Sequence, residues 1–313
     1  MSATSRVIRA FAPGGIGNIG PGIDILGCAV TGAGDAVRAE RSAARGVRIA
    51  ETGHPDLPSD PTRHAAGIAA LEVLRRANAA DGVTLFVEKG LPLAGGQGGS
   101  AASAVAGAVA TNALIGSPLD RSDVLAAALV AEEQLAGRHI DNLAPALFGG
   151  IVLIRSITPL RFTSLPIPPH LRITLVQPSM RLSTAESRAV LPRTLDRGTA
   201  LAQAGAVAAM VAAFCTGDLS LLRGAVDDRI AEPARAPLLP GFADAKIAAL
   251  EAGALGCSIS GGGPSAFALS DDDDLARAIG DAMVRAYAAI GLTATARVAS
   301  VDPLGAQVET LGE

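Results

Sequence analysis

KGLPLAGGQGGSAASAVAGAVATNALI, residues 89–115, is the stretch on which the rest of the chain is organised. Six glycines fall between Gly90 and Gly107, four of them within residues 95–99, and a small-residue apolar run follows. Glycine at this density leaves backbone free of Cβ and open to positive φ. The step from Ser100 to Ala102 predicts a helix start with Ser100 as N-cap, since Ser caps well and Ala propagates well. A glycine turn entering a helix N-terminus gathers bare N–H groups and the positive end of the helix dipole at one point, which holds phosphate without a cationic side chain. It is not a G-x-x-x-x-G-K-[ST] loop: the chain has two lysines, Lys89 and Lys246, and neither follows a loop glycine in that order. On the residues alone, a turn that only packs a strand closely against a helix fits equally well.

The 313 residues suffice for one large or two ordinary domains. Apolar content is 49%, aromatic content 3%, so the core must be Ala, Val, Leu and Ile. So few aromatics exclude base stacking as a binding mode, and a net charge of −4 offers no basic field for nucleic acid. The expectation is no nucleic-acid partner, with any anion held by a few local donors. Cys28, Cys215 and Cys257 lie far apart without a C-x-x-C, and the four histidines form no H-E-x-x-H. The N-terminus lacks the basic-then-apolar layout of a signal peptide. The run 101–115 is too short for a membrane span and contains Ser103, Thr111 and Asn112. A cytoplasmic setting without a membrane partner is expected.

Along the chain, residues 6–12 predict a strand closed by Pro13 and Gly14, and residues 14–27 are too Gly-rich for a helix. Residues 36–41 and 46–51 predict a strand pair, 63–80 a helix, 83–87 a strand and 122–136 a helix capped by Ser122 or Asp120; residues 137–150 predict a loop. Strands are expected at 150–155 and 172–176. Prolines cluster at 164–169, placing a domain boundary between residues 1–166 and 167–313. Beyond it, helices are expected at 199–215, 218–229, 242–252 and 275–290, strands at 257–260 and 266–269, and a final strand at 293–298. The acidic run 271–274 suits the N-terminus of the helix after it. Mixed strands and helices in two halves predict an α+β fold.

Three glycine segments, 14–27, 94–102 and 261–265, follow in an order that resembles the GHMP kinase superfamily. PLAGGQGGSAAS is similar to its P-x-x-x-G-L-G-S-S-A-A phosphate loop, and GCSISGGGPSAFAL to its G-x-x-x-S-G-S-G-P-S/T motif. The first segment, GGIGNIGPGIDILG, resembles the S-A-N-L-G-P-G-F-D-x-L-G signature of the homoserine kinases through Asn18, Gly20, Pro21, Gly22, Asp24, Leu26 and Gly27. RHIDNLAPALFGG is similar to their H-x-D-N-V-A-P-x-x-x-G-G, and STAESRAVLP (183–192) and EPARAPLLPG (232–241) have counterparts there too. The chain departs from these patterns at Gly99 and Gln97, where the loop usually has Ser and Leu, at Ile16-Gly17 and Ile23, and at His64, where an Asn near the adenine is usual.

The resemblance implies a two-domain GHMP kinase fold, with an N-terminal domain like ribosomal protein S5 domain 2 and a ferredoxin-like C-terminal domain, the nucleotide between them, and a homodimer. It implies ATP- and Mg²⁺-dependent phosphorylation of L-homoserine for threonine biosynthesis. The nucleotide would meet Pro92, Gly95, Gly96, Gln97, Gly98, Gly99, Ser100, Ala101, Ala102 and His64. A zwitterionic hydroxy amino acid needs a planar cationic fork for its carboxylate, which Arg188 and Arg235 supply. It also needs an acceptor for its ammonium group, Asp24 or His139, and groups that orient its hydroxyl, Asn18 and Asn142. Thr184 joins Asn18, Asp24 and Asn142 as a candidate catalytic residue. Mg²⁺ takes few hard oxygen ligands, for which Ser100 and one of Glu132 and Glu133 qualify; the two glutamates point about 100° apart, so only one faces the loop. No catalytic Lys–Asp pair is implied. The alternatives are a kinase of the same superfamily acting on another small hydroxy acid, and a nucleotide-binding protein of this fold with little catalysis; a decarboxylase of this fold is disfavoured by the first segment.

Overall fold

The computed structural model describes residues 6–312. The chain begins with the antiparallel strands β1 (Val7–Gly17) and β2 (Leu26–Ser42), then β3 (Gly46–Glu51), α1 (Ala65–Arg76) and β4 (Gly82–Glu88). After α2 (Gly99–Leu114), α3 (Arg121–Leu135) and α4 (Leu143–Phe148) come the hairpin strands β5 (Ile151–Ile157) and β6 (Leu160–Leu165). The second half contains β7 (Arg172–Pro178), α5 (Thr184–Ala189), α6 (Arg197–Thr216), α7 (Ala231–Arg235) and α8 (Phe242–Glu251). It continues through β8 (Gly256–Ile259), β9 (Ala266–Ser270), α9 (Asp273–Ala289) and β10 (Ala294–Ala299) to β11 (Gln307–Gly312).

The strands form two sheets. One has the order β11-β1-β2-β4-β3, with β5 and β6 attached to β2; the other has the order β10-β7-β9-β8. Among the described residues only β3 and β4 pair in parallel, so the α+β expectation holds. The second sheet runs fourth-first-third-second in its own strand sequence, the antiparallel ferredoxin-like order. The last strand, β11, returns to pair with β1 in the first sheet, so the chain does not divide into sheets at residue 166 alone.

Alternation along β9 shows how the sheets are sandwiched. Phe267 and Leu269 point into a cluster with Ile16, Leu26, Met210 and Phe214, whereas Ala266 and Ala268 face Phe242, Met283 and Tyr287 of α8 and α9. Under the first sheet, alanines of α2 pack on α1 and α3 with almost no aromatic mass, as the composition requires.

Several elements differ from the sequence expectation for identifiable reasons. β1 continues through Pro13 to Gly17 because the β1–β2 register shifts between Pro13 and Gly15, where a missing N–H costs no ladder bond. The strands at 36–41 and 46–51 are not neighbours: β4 inserts between them, since β3 returns to β4 through the α1 crossover. The helix expected at 218–229 shrinks to one short turn, Leu219–Leu222. Gly224 breaks it at φ 71°, and the Asp228 carboxylate accepts the N–H groups of Ile230, Ala231 and Glu232 to start α7 instead. Within the expected loop 137–150 lies α4. Asp120 caps α3, and Asp272 of the acidic run caps α9 by accepting from Asp274 and Leu275.

Candidate active site

The phosphate-loop segment connects β4 to α2 and is pinned to both sheets. Gly15 N–H donates to the Gln97 carbonyl (3.1 Å), Ser265 N–H to the Gly95 carbonyl (3.2 Å), and the Ser260 hydroxyl to the Gly96 carbonyl (2.7 Å). Gly96 has φ 76°, and a Cβ there would lie 2.6 Å from the carbonyl oxygens of Ser260 and Gly263, so only glycine fits. The N-cap of α2 is Gly98, in the left-handed region at φ 70°, not Ser100, which sits one residue inside the helix. Side-chain capping is absent, and the N–H groups of Gly99, Ser100 and Ala101 are the unpaired donors of the first turn.

These donors open on a cavity of about 330 Å³ between the halves of the chain. Pro92, Gly95, Gly96, Gly98, Gly99, Ser100, Ala101 and His64 line it on one side, and Asn18, Glu132, His139, Asn142, Thr184, Arg188 and Arg235 on the other. Two expected loop contacts are absent. The Ala102 N–H is spent on the Gly98 carbonyl (2.9 Å) and its side chain is buried in the core. Gln97 turns away from the cavity, with its amide bonded to Gln177, Ser265 and Arg297.

His64 is the N-cap of α1. Its Nδ1 accepts the Ala66 N–H (3.2 Å) and its Nε2 lies 3.3 Å from the Thr52 carbonyl, so both ring nitrogens are engaged within the chain and the ring contributes a wall. Lys89 also lines the cavity, and its ammonium pairs with the fully buried Asp35 and donates to the Gly99 carbonyl (3.1 Å) and Ser103 (3.0 Å). A Lys–Asp pair is thus present, but it anchors the α2 entrance from behind. Asp35 also accepts the N–H groups of Gly90 and Leu91. Lys89 stands next to the glycine loop and could have been singled out. Asp35 is 54 residues away and carried no local signal.

The opposite wall is dense in charge. Arg188 sits on α5 behind a complete Ser183–Glu186 capping box. Its Nη2 and Nη1 donate to the two oxygens of Asp24 at 2.6 and 3.3 Å. Asp24 does not line the cavity: it stands behind Arg188 and orients it. Arg235, almost fully buried at the end of α7, donates from Nε to the Ser187 carbonyl (3.2 Å) and from Nη1 to the Gly261 carbonyl (3.0 Å). Burial, with the nearby positive Arg188, pulls its pKa down. Asn18, at φ 71°, donates from Nδ2 to the Gly261 carbonyl (2.9 Å) and accepts the Asp24 N–H (3.0 Å); its own N–H donates to Asp141 Oδ2 (3.1 Å).

Glu132 and Glu133 separate as the helical repeat requires. Glu133 is half exposed and pairs with Arg138 (2.7 Å), so it is no candidate ligand. Glu132 is buried and lines the cavity. Burial pushes its carboxyl up to about 7, with Asp141 adding to the rise and His139 and Arg188 opposing it. The His139 Nδ1 lies 3.5 Å from Glu132 and 3.3 Å from Asp141. Burial opposes its charge, but these two acids outweigh burial and hold the imidazole above its ordinary pKa.

Of seven buried side-chain atoms without a hydrogen-bond partner among the described residues, six belong to this wall: Glu132 Oε2, both His139 ring nitrogens, Asp141 Oδ1, Asn142 Oδ1 and Arg188 Nε. Native interiors leave few such atoms, so their concentration marks a place where a polar ligand completes the bonding. No group of three or more His, Cys, Asp or Glu among the described residues could hold a metal ion by itself. The orphaned Glu132 Oε2 fits a cation that takes one protein carboxylate and keeps its other positions for phosphate and water.

Known proteins resemble this chain over most of its length. The model of the GHMP kinases N terminal domain matches residues 64–150, and that of the GHMP kinases C terminal matches residues 210–289. A homoserine kinase from Chlorobium phaeobacteroides (strain BS1) is 41% identical over 298 residues, 91% of this chain and 93% of its own length. One from Arabidopsis thaliana is 42% identical over 311 residues, 96% of this chain and 84% of that protein. A crystal structure of homoserine kinase from Cytophaga hutchinsonii superposes with a TM-score of 0.93 at 40% identity, covering 97% of both chains.

Proposed function

This chain belongs to the homoserine kinases of the GHMP kinase family, and from that premise we propose that it transfers the γ-phosphoryl group of ATP to the hydroxyl of L-homoserine, giving O-phospho-L-homoserine for threonine biosynthesis. The observation that carries this reading is one cavity shared by an amide nest and two guanidiniums, Arg235 buried and Arg188 half-buried. The nest suits a triphosphate, and the guanidiniums suit a carboxylate.

The N–H groups of Gly99, Ser100 and Ala101 hold the phosphates, while Leu57, His64, Ala65 and Leu93 supply an apolar wall for the base. Arg188 and Arg235 clasp the substrate carboxylate, with Asp24 holding Arg188 from behind, and Asp141, whose Oδ1 has no partner, receives the ammonium group. Asn142 Oδ1 and the Asn18 amide, with Thr184 at the rim, orient the acceptor hydroxyl towards the γ-phosphorus. The bond from the γ-phosphorus to the bridging oxygen breaks, releasing ADP, as the bond to the substrate oxygen forms and the hydroxyl proton passes to a phosphoryl oxygen; in-line placement supplies most of the acceleration. Glu132 and the Ser100 hydroxyl are the residues that would hold Mg²⁺, whose chemistry is to neutralise charge on the phosphates.

We assign the chain to the cytoplasm as a homodimer. Among the described residues α6 alone is long and apolar enough to cross a membrane, with a mean hydropathy of 1.6, and its outward face is free of charge from Leu201 to Cys215. Arg193 and Arg197 stand at its start and Asp218 just past its end, so two copies packed antiparallel place opposite charges together. Ala208→Glu on that face is expected to convert a dimer to a monomer in light scattering.

ADP release measured across small alcohols tests the substrate. Turnover is expected with L-homoserine; turnover with mevalonate or a sugar and none with homoserine would overturn the assignment.

A further inference from the structure

On the side of the phosphate loop that faces away from the cavity, Gln97 sits 6% exposed in a closed polar knot. Its Oε1 accepts from Arg297 Nη2 (3.2 Å), and its Nε2 donates to Gln177 Oε1 (3.0 Å) and the Ser265 hydroxyl (3.2 Å). Ser265 in turn donates to Gln177 (2.7 Å), and Arg297 Nη1 donates to the Thr31 carbonyl (2.7 Å). One side chain from the loop is therefore tied to β7, β10 and the entrance of β9 in the second sheet, and through Arg297 to β2 in the first. Arg297 binds amide and carbonyl oxygen here, and burial alone accounts for the lowering of its pKa, with no acid offsetting it. A leucine in this place would fill the volume and leave the guanidinium and its neighbours short of partners.

We propose that Gln97 is a positioning residue for nucleotide binding: its bonds to Arg297, Gln177 and Ser265 lock the phosphate loop against the second sheet, so that the amides of residues 99–101 are aligned before ATP arrives. The backbone N–H groups of Gly15 and Ser265 and the Ser260 hydroxyl hold the loop's path, and the Gln97 knot fixes its tilt relative to the sheet that carries Gly261 and the residues beside Arg235. Prealigned donors bind phosphate without the cost of ordering the loop, so losing the lock weakens ATP and leaves the amino acid untouched. This rests on the assignment of the loop to ATP given above.

The test is calorimetric ATP binding to the wild-type protein, followed by steady-state kinetics on Gln97→Leu, Arg297→Met and the double variant. ATP binding by the wild type with displacement by ADP supports the assignment of the loop, and its absence overturns that assignment independently of the lock. With ATP bound, the lock predicts that each single variant raises KM for ATP about tenfold while kcat and KM for homoserine stay within about twofold. It further predicts that the double variant, which removes the same bond from both ends, loses no more than either single variant. A lower melting temperature with an unchanged KM for ATP, or an equal loss towards both substrates, would show a merely structural role. Should Gln97→Leu fail to fold, Gln177→Leu removes the acceptor without touching the loop, and the same ATP-selective loss is expected; an unchanged KM for ATP there overturns the proposal.

Discussion

The two walls of the cleft solve the binding of charge in opposite ways. The phosphate-loop wall is backbone: its carbonyls are pinned by Gly15, Ser260 and Ser265, the Lys89 ammonium is paired to Asp35, and its free groups are main-chain N–H. The acceptor wall is side chain: Glu132, His139, Asp141, Asn142 and Arg188 crowd together with six polar atoms unmatched. A backbone wall is complete before ligand arrives and tolerates changes of side chain where space permits, as Gly99 illustrates. A side-chain wall is costly without its ligand, because buried unmatched groups destabilise the fold, and its specificity comes from relieving that cost.

Substitutions on each wall test this contrast. The largest effect belongs to the acceptor wall. Arg188→Ala removes half of the guanidinium pair and leaves Asp24 without its partner, so kcat/KM for homoserine is expected to fall about 1,000-fold in steady-state assays. Glu132→Gln should lower kcat about 100-fold and yet stabilise the metal-free protein at alkaline pH. The folded carboxyl ionises only near 7, against 4.5 for a free glutamate, so folding is favoured while the group is protonated. The destabilisation by its charge is absent below pH 4.5 and complete above about 7. Thermal melts at pH 8 should therefore show the variant about 3 °C above the wild type, with the difference vanishing below pH 4.5; a variant that melts lower at pH 8 would contradict the strained wall.

Effects on the loop wall are smaller and steric. Gly96→Ala places a methyl 2.6 Å from two carbonyl oxygens at positive φ. Its expected result is a rise in KM for ATP of about tenfold with KM for homoserine unchanged. Gly99→Ser is the mildest. Its Cβ would meet the flexible Lys89 ammonium at 3.3 Å and nothing closer, so calorimetric ATP affinity should change less than about threefold. A large gain there would mean that the wall depends on a hydroxyl and not on backbone amides.

Much of this site was legible before the fold was known, because its parts are local. The glycine loop, the EPAR and ESR segments bearing the two arginines, and the HIDN turn are each a few consecutive residues whose chemistry survives reading in one dimension. The Glu132/Glu133 ambiguity was the limit of such reading: the helical repeat says that one faces inward, and only the packing of α3 says which. Ala102 and Gln97 read as nucleotide contacts from their position in the loop, but a helix turns its fourth amide inward and a tight turn throws one side chain to the rear. Helices of five or six residues, such as α5 and α7, show no periodicity; caps and tertiary bonds define them.

Order along the chain determined the α+β character, the amide nest and the identity of the charged groups, since these follow from composition and from neighbours within a turn or two. Tertiary structure alone decided that β4 separates β2 from β3, that β11 closes the first sheet, that Asp24 stands behind Arg188, and that Asp35 and Arg297 brace the loop from opposite ends of the sequence. Contacts between residues tens to hundreds of positions apart leave no pattern in the local sequence, because their energies are set by geometry that exists only once both sheets have formed.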